Sequence, residues 1–378
     1  MHGAYRLTPS KTDAGTVEWQ DWRIYRGPKT MDINGHYFES SLAHIRKASS
    51  TKYEETLINI LTQKLGDRGA AEAYRRSYLD SYMIEPKTTG QLNTVTVNTS
   101  ELCNFKCIMC DVPNNNRKHL ETMSLSRISG FLKGAAAMGA QCCMIGSGSE
   151  VTLHPEWRGI LGEALALFPD TILFTNGSRL TDSDLEFFIE RGLTRLFISL
   201  DAATNETFLK IRGYDLLEAI ETKIFELLRL RSTSRASTPL VRVSFVVQED
   251  NVHEEKLFER KWINVADSVE FQKCVDIADF RDRSFANSLP VLTPDDMIGS
   301  PKCHYPFSYI SLWADGKLSP CCTSYGRDCN DLSLGYIHET DAVERAILER
   351  ESLQKAFISK DWSKIPNSCR HCLKNQED

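Results

Sequence analysis

Between residues 93 and 275, short runs of apolar and β-branched residues alternate with longer segments in which apolar residues recur every three or four positions. The first pattern is typical of buried strands and the second of amphipathic helices. The predicted strands cover residues 94–98, 141–145, 171–175, 195–199, 240–247 and 268–273. The predicted helices cover residues 124–137, 157–167, 182–191, 216–231 and 251–262. This alternation predicts βαβ units around a parallel sheet, with functional residues at the carboxyl ends of the strands.

The segments on either side differ from this region in pattern. Within residues 1–92, a helical periodicity covers positions 53–82. The N-terminal extension is therefore predicted to be mainly helical, either covering the core of the next domain or holding a substrate or partner. Residues 276–378 lose the strand and helix alternation, and Asp315-Gly316 between two short apolar runs predicts a β-hairpin. Three domains follow from these boundaries.

The loop after the first predicted strand contains Cys103, Cys107 and Cys110 in a C-x3-C-x2-C spacing. Three thiolates this close together can bind three irons of a [4Fe–4S] cluster, whereas known cubane motifs usually supply a fourth thiolate. The remaining iron would then have an open position for a substrate or cofactor. A structural zinc site or buried thiols are the alternatives, although zinc sites normally use four nitrogen or sulfur ligands.

This loop, its place after a strand and the segments that follow resemble the radical S-adenosylmethionine (SAM) enzymes, from about residue 94 to the C-terminus. The resemblance implies an α/β fold, a partial (β/α)6 radical SAM barrel with a small C-terminal iron–sulfur subdomain of β-hairpin and helix. It also implies that SAM binds the open iron and that its one-electron cleavage releases a 5′-deoxyadenosyl radical. The cofactor carries this chemistry, and the protein orients it and excludes water.

Several segments align with the SAM-binding motifs of these enzymes. Gly148-Ser149-Glu150 resembles the Gly-Gly-Glu loop that meets the SAM amino group, although Ser149 replaces a glycine and Val151 replaces the following proline. Arg212 resembles an arginine that pairs with the SAM carboxylate, for which a guanidinium fork is well suited. The other positions that the resemblance assigns to SAM are Met109, Asn176, Ser199, Asp201, Val246 and Gln248.

A second set of cysteines lies in the C-terminal segment. Cys303 and Cys321 are separated by 17 residues across the predicted hairpin, and Cys369 and Cys372 form a C-x2-C pair. Four thiolates can bind all four irons of an auxiliary [4Fe–4S] cluster. Their order resembles the twitch subdomain, related to the longer SPASM domain, and is most similar to the butirosin aminocyclitol dehydrogenase type. A zinc-ribbon site is the alternative, because zinc also accepts four thiolates.

Cysteines outside the two sets are candidates for hydrogen-atom transfer. A radical epimerase needs a donor that returns hydrogen to the opposite face of a carbon centre, and a thiol can do this. Cys274, at the end of the sixth predicted strand, and Cys322 are the candidate catalytic residues. A buried apolar role is the alternative for Cys274, and the same role is expected for Cys142 and Cys143 in the second strand.

The composition restricts the cellular compartment and the binding partners that we expect. The 378 residues carry a net charge of −6 without a long block of Lys and Arg, so nucleic acid is not expected as a partner. No apolar run approaches the roughly 18 residues of a membrane span and no signal peptide is visible, so we expect a cytoplasmic protein without membrane contact. Its 12 cysteines fit cluster ligation in a reducing, oxygen-poor setting better than a disulfide framework.

The leading hypothesis is a radical SAM oxidoreductase that dehydrogenates an alcohol of a polar biosynthetic intermediate, such as a sugar or aminocyclitol. The auxiliary cluster would accept the second electron, and a reductant such as flavodoxin or ferredoxin would supply the first. Epimerisation with a cysteine donor and modification of a ribosomal peptide held by residues 1–92 are alternatives with the same cofactors. A non-catalytic iron–sulfur or zinc protein is an alternative of another class. No catalytic base stands out among Lys273, Arg242, Glu249 and His304.

Overall fold

The computed structural model describes residues 18–20, 45–49, 53–80, 91–110, 122–273, 303, 305–321, 330–338 and 341–374. The strands in this part of the chain are β1 (Glu18–Gln20), β2 (Ile45–Ser49), β3 (Thr94–Val97), β4 (Cys142–Ile145), β5 (Asp170–Thr175), β6 (Arg195–Ser199), β7 (Leu240–Val247), β8 (Ser268–Lys273), β9 (Tyr309–Leu312) and β10 (Leu318–Ser319). They form one sheet in the order β1-β2-β8-β7-β6-β5-β4-β3-β9-β10.

Strands β3 to β8 are parallel and follow one another in sequence order, as the repeated strand and helix pattern predicts. The helices of this region are α3 (Leu125–Ala137), α4 (Trp157–Leu167), α5 (Asp182–Glu190), α6 (Asn205–Arg212), α7 (Leu217–Thr233) and α8 (Glu255–Trp262). The sequential order and the helices on one face confirm the predicted partial barrel. Helix α6 was not predicted, because it is only eight residues long; Thr204 caps its start and Gly213, with a positive φ of 82°, ends it.

The outer face of the sheet carries the larger apolar core. Alternate strand residues such as Val95, Val97, Cys143 and Ile145 point to this face, where the helices α3 to α8 cover them. Cys142 points to the opposite face. Cys142 and Cys143 are both completely buried. Burial raises the pKa of the Cys142 thiol to about 12. The prediction that these two cysteines are core residues is therefore confirmed.

Two N-terminal helices cover the inner face of the sheet. The predicted helical stretch is divided into α1 (Tyr53–Leu65) and α2 (Arg68–Asp80), because Gly66 adopts a positive φ of 73° between them. Their apolar residues pack against inner-face residues such as Met144, Ile172 and Phe197. The expectation that the helical extension covers the core of the next domain is thereby confirmed.

Charged groups under α1 and α2 are paired. Asp170 of β5 and Arg195 of β6 form a buried ion pair, and the Tyr74 hydroxyl donates to Asp170 at 2.7 Å. Glu54 and Arg75 form a second buried pair between the two helices at 2.6 Å. Breaking one member of such a pair is costly because the other charge stays buried.

Further strands extend both ends of the parallel sheet. Strand β2 pairs with β8 and carries β1 on its other side, so the extension contributes strands as well as helices. At the opposite end, β9 pairs in parallel with β3, and β10 turns back along β9. The C-terminal helices Ala342–Ser359 and Asn367–Lys374 follow. In the described part of the chain, no helix has the length and apolarity to cross a membrane.

Candidate active site

The tri-cysteine loop follows β3 and is held against the end of α6. The backbone N–H of Ile108 donates to the Ile211 carbonyl at 3.0 Å, and the N–H of Lys106 donates to the Arg212 carbonyl at 3.4 Å. Cys107 is buried, whereas Cys103 and Cys110 are half-buried. Burial raises the pKa of the Cys103 thiol. The loop therefore presents three sulfur ligands from one segment that is fixed by contacts to a distant helix.

Arg212 connects this loop to the end of β6. Its guanidinium lies 2.5 Å from the Asp201 carboxylate and donates to the Cys107 sulfur at 3.4 Å. Burial alone would lower the pKa of Arg212, but Asp201 and Cys107 outweigh that effect and hold the pKa above its usual value. The predicted SAM-binding arginine is thus positioned by a carboxylate and by a predicted cluster ligand.

Asp201 also joins the ends of β6 and β7. Its backbone has a positive φ of 63°, and its carboxylate accepts from the Val246 N–H at 2.7 Å. The Asn251 side chain donates to the carbonyls of Asp201 and Val246 at 2.9 and 2.8 Å. Burial raises the pKa of Asp201, and Arg212 and the Val246 N–H oppose that shift. Asp201 therefore positions neighbouring groups, and Asn251 is a supporting residue outside the predicted set.

Glu150 is the central acceptor of the loop after β4. Its carboxylate is buried and accepts from the Thr152 hydroxyl at 2.6 Å, the Thr175 hydroxyl at 2.8 Å and the Asn176 N–H at 2.7 Å. Its own N–H donates to the Leu102 carbonyl beside the tri-cysteine loop at 2.8 Å. The side chain thus fixes the two loops to each other, and neighbouring backbone groups are left to meet a ligand.

Asn176 and the tri-cysteine loop are connected by side chains that the sequence did not single out. The Asn176 amide donates to Asn104 at 2.9 Å, and Asn104 donates to Ser178 at 2.9 Å. Ser199 ends β6 as a half-buried residue, and Met109 packs at the edge of the outer core. The structure therefore places the predicted SAM residues along the carboxyl ends of β3 to β7.

Polar groups without partners indicate where a ligand fits. Among the described residues, Asn98 Nδ2, Ser149 Oγ and Gln248 Nε2 are buried and make no hydrogen bond. Such groups are expensive to leave unsatisfied, so a polar ligand at these strand ends would satisfy them. A Cβ atom on Gly148 would lie 2.9 Å from Asn98 Oδ1, which leaves the loop room only for glycine unless Asn98 shifts.

The donor set suits an iron–sulfur cluster with SAM. Each cysteine of a [4Fe–4S] cluster binds its own iron, so the sulfurs need not surround one point. Within the described ranges, no group of three or more His, Cys, Asp or Glu side chains is arranged to hold a single metal ion. Cys103, Cys107 and Cys110 would hold the cluster, and the strand-end polar groups would hold SAM.

The auxiliary cysteines gather around the C-terminal hairpin. Cys303 precedes β9 and Cys321 follows β10, so both leave the antiparallel pair at the end away from its turn. Cys303 and Cys369 pack against one small apolar cluster that includes Phe307 and Phe357. Cys372 lies in the last helix, but its side chain is outside the described set, as are Cys274 and Cys322. The catalytic roles predicted for Cys274 and Cys322 stay predictions.

Comparison with known proteins identifies both halves of this arrangement. Residues 97–230 match the Radical SAM superfamily, and residues 303–373 match the SPASM iron–sulfur cluster-binding domain. With the partial barrel and its tri-cysteine loop, these matches identify the chain as a radical SAM enzyme. Its cofactors are a SAM-binding [4Fe–4S] cluster and SAM, with an auxiliary iron–sulfur cluster in the C-terminal domain.

Curated relatives match only part of this chain. The GTP 3′,8-cyclase of Chlorobaculum tepidum is 28% identical over 153 residues, 39% of this chain and 45% of the relative. The GTP 3′,8-cyclase of Pasteurella multocida is 30% identical over 127 residues, 32% of this chain and 36% of the relative. The chain therefore spans less than half the length of these two relatives.

Solved structures of similar architecture include BtrN with AdoMet and 2-DOIA, at 14% identity and a TM-score of 0.44, covering 74% of this chain and 92% of that one. Streptococcus suis SuiB bound to S-adenosylmethionine has 14% identity and a TM-score of 0.48, covering 77% of this chain and 72% of that one. At these scores, the likeness does not extend to the reaction.

Proposed function

We propose that the protein is a radical SAM oxidoreductase that dehydrogenates an alcohol of a polar biosynthetic intermediate, of the sugar or aminocyclitol class. The observation that carries the proposal is that both cysteine sets are attached to adjacent strands of one sheet. The tri-cysteine loop follows β3, and β9 of the auxiliary domain pairs directly with β3. The Asn98 N–H also donates to the Leu312 carbonyl of β9 at 2.9 Å.

Electron count explains why two clusters suit this reaction. Converting an alcohol to a carbonyl removes two electrons and two protons. When bound, the cluster with SAM would supply a radical that takes one hydrogen atom, and the auxiliary cluster would be the acceptor for the electron that remains. The hydroxyl proton must pass to a base. A cytoplasmic reductant such as flavodoxin or ferredoxin would restart the cycle.

The chain's own residues hold and shield the reacting groups. Arg212 and Asp201 fix the tri-cysteine loop, and Glu150 fixes the neighbouring loop. Phe174 and Phe197 meet edge to face at 5.1 Å and form an apolar wall on the inner face. Such a wall excludes water from the place where a carbon radical would form.

Anaerobic turnover tests the proposal. Enzyme loaded with both clusters is incubated with SAM, dithionite and a panel of cyclitols and amino sugars, and 5′-deoxyadenosine and carbonyl product are quantified. We expect one molecule of 5′-deoxyadenosine and one of carbonyl product for each substrate molecule oxidised. A product that keeps the oxidation state of the substrate and carries one deuterium from D2O would indicate epimerisation instead of dehydrogenation. No 5′-deoxyadenosine from a fully loaded enzyme would contradict radical chemistry altogether.

A further inference from the structure

A charged pair on the inner face of the barrel does not belong to the predicted set of cofactor residues. The Arg242 guanidinium of β7 donates to the Glu270 carboxylate of β8 at 2.6 Å. It also lies over the Phe197 ring, 3.3 Å from the ring centroid. About an eighth of each charged side chain is exposed, 13% for Arg242 and 12% for Glu270. The pair is thus rigidly held and still accessible.

Strand register places this pair beside the predicted SAM site. Ser199 of β6, Ser244 of β7 and Glu270 of β8 are register neighbours, so they form one row across three adjacent strands. Arg242 lies one row below, level with Phe197. Since adjacent strands are about 4.8 Å apart, Glu270 lies roughly 10 Å across the sheet from Ser199.

The pair has hydrogen-bonding capacity that the protein does not use. Arg242 Nε is buried and has no hydrogen-bond partner among the described residues. Among the described residues, the guanidinium has one hydrogen-bond acceptor, an oxygen of Glu270, and the second carboxylate oxygen is available to a ligand. An unsatisfied buried donor costs free energy that a bound ligand would recover.

We propose that Arg242 and Glu270 are the substrate-binding pair of this enzyme and select a polyol that carries an amino group next to a hydroxyl. The inference rests on the proposed function and names residues and a substrate class for it. Glu270 accepts from the substrate ammonium or hydroxyl, and Arg242 donates to an adjacent oxygen. Phe197 and Glu270 fix the guanidinium plane so that it keeps one orientation.

Charge makes this site selective. A lone arginine would bind a phosphate or carboxylate through both arms of its fork. Here Glu270 already occupies one arm and neutralises the guanidinium, so a phosphate would be repelled by the carboxylate. The pair therefore favours neutral or cationic polyols over nucleoside triphosphates.

Binding measurements with three probes test the proposal. Enzyme loaded with clusters and SAM, without reductant, is titrated calorimetrically with scyllo-inosamine, scyllo-inositol and GTP. The variants are Glu270→Gln, which keeps the shape and removes the charge, and Arg242→Lys, which keeps the charge and removes the fork. Asp267→Asn is the matched control, because Asp267 and Arg231 form a comparable pair at 2.6 Å in another part of the same region.

We expect scyllo-inosamine to bind most tightly to the unchanged enzyme. Both variants should weaken its binding about 10- to 100-fold, as expected for loss of a charge-assisted hydrogen bond. Asp267→Asn should bind it normally. Iron content and the SAM-induced change in the cluster EPR signal should be the same in all four proteins, which separates a binding defect from a folding defect.

Two other results have different meanings. If scyllo-inosamine binds equally well to the unchanged enzyme and to both variants, the assignment of Arg242 and Glu270 is wrong while the proposed function stands. If the unchanged enzyme binds GTP and neither cyclitol, the substrate class is wrong, and the proposed function fails with it. A variant that loses its clusters is replaced by the Arg242→Gln, Glu270→Gln double variant, whose neutral pair should load clusters and still bind scyllo-inosamine weakly.

Discussion

Two ion pairs on the inner face of the same sheet have different surroundings. Asp170 and Arg195 lie under α1 and α2, are almost completely buried and receive a further hydrogen bond from Tyr74. Arg242 and Glu270 lie nearer the strand ends, keep some exposure and have an unused donor. The pair under the N-terminal helices serves packing, whereas the pair one row nearer the carboxyl ends of the strands keeps some exposure. We call the rows of the inner face up to Arg195 its lower half, and the rows from Arg242 to the strand ends, with the loops that follow them, its upper half.

The largest effect should come from a substitution in the tri-cysteine loop, which belongs to the upper half. Changing Cys107 to Ala removes a cluster ligand and the sulfur that Arg212 contacts. We expect loss of the SAM-responsive EPR signal and no detectable 5′-deoxyadenosine. The matched control is Cys143→Ala, a completely buried cysteine on the next strand's outer face. That control should load its cluster normally. A Cys107→Ala enzyme that still cleaves SAM would contradict a cofactor role for the upper half.

A change in the lower half should affect stability rather than chemistry. Arg195→Ala leaves Asp170 as an unpaired buried charge, so the free energy of unfolding should fall by about 3–5 kcal/mol. Denaturant titration of the enzyme with its clusters bound measures this free energy of unfolding. Arg229→Ala, which breaks an exposed pair with Glu226, should lower the free energy of unfolding far less, because water screens this pair. An equal cost for the two variants would show that the buried pair is not a structural element.

Glu150→Gln should have an intermediate effect at the boundary with the cofactor. The Glu150 carboxylate accepts from several donors, including the Asn176 N–H. In the glutamine variant, one of its two oxygens is replaced by an NH2 group, which cannot accept these hydrogen bonds. We expect about 10- to 100-fold weaker SAM binding, because displacing one charge-assisted hydrogen bond costs about 1.5–3 kcal/mol. Calorimetric titration with SAM measures the change. Glu156→Gln, an exposed carboxylate that accepts from the Leu125 N–H, should bind SAM normally.

The smallest effect should appear at high pH. Burial raises the pKa of Tyr53 at the start of α1 from 10.0 to about 12. Its contribution to stability is complete below pH 10 and is lost as the pH rises towards 12, because the unfolded chain ionises first. Tyr53→Phe should therefore make the decline in unfolding free energy between pH 10 and 12 less steep. Unchanged slopes in denaturant titrations across this range would contradict a protonated Tyr53 in the folded state.

The sequence predicted the barrel well because its strands are buried and regularly spaced. The bounds of β6, β7 and β8 agree with the predicted ranges to the residue. Strands β1 and β2 were not predicted, because they are short and polar; β2 pairs with the edge of β8, and β1 pairs with β2. Their pairing is a tertiary contact without a local signal.

The candidate site was predictable where motifs are continuous in sequence. The tri-cysteine loop and the Gly148 to Glu150 loop were assigned from a few adjacent residues. The Arg212 contact to Cys107 joins positions 105 apart, and the Arg242 contact to Glu270 joins positions 28 apart. Single-sequence patterns do not encode such pairings, so the partners of these arginines emerged only from the fold.

The packing of α1 and α2 on the inner face has a kinetic consequence. These helices pack against the inner face of the barrel up to the row that contains Phe197. In the part of the chain that the structure describes, we therefore expect small molecules at the strand ends to arrive and depart on the side where the tri-cysteine loop lies. If SAM and the substrate share that side, the molecule bound deeper must enter first and leave last.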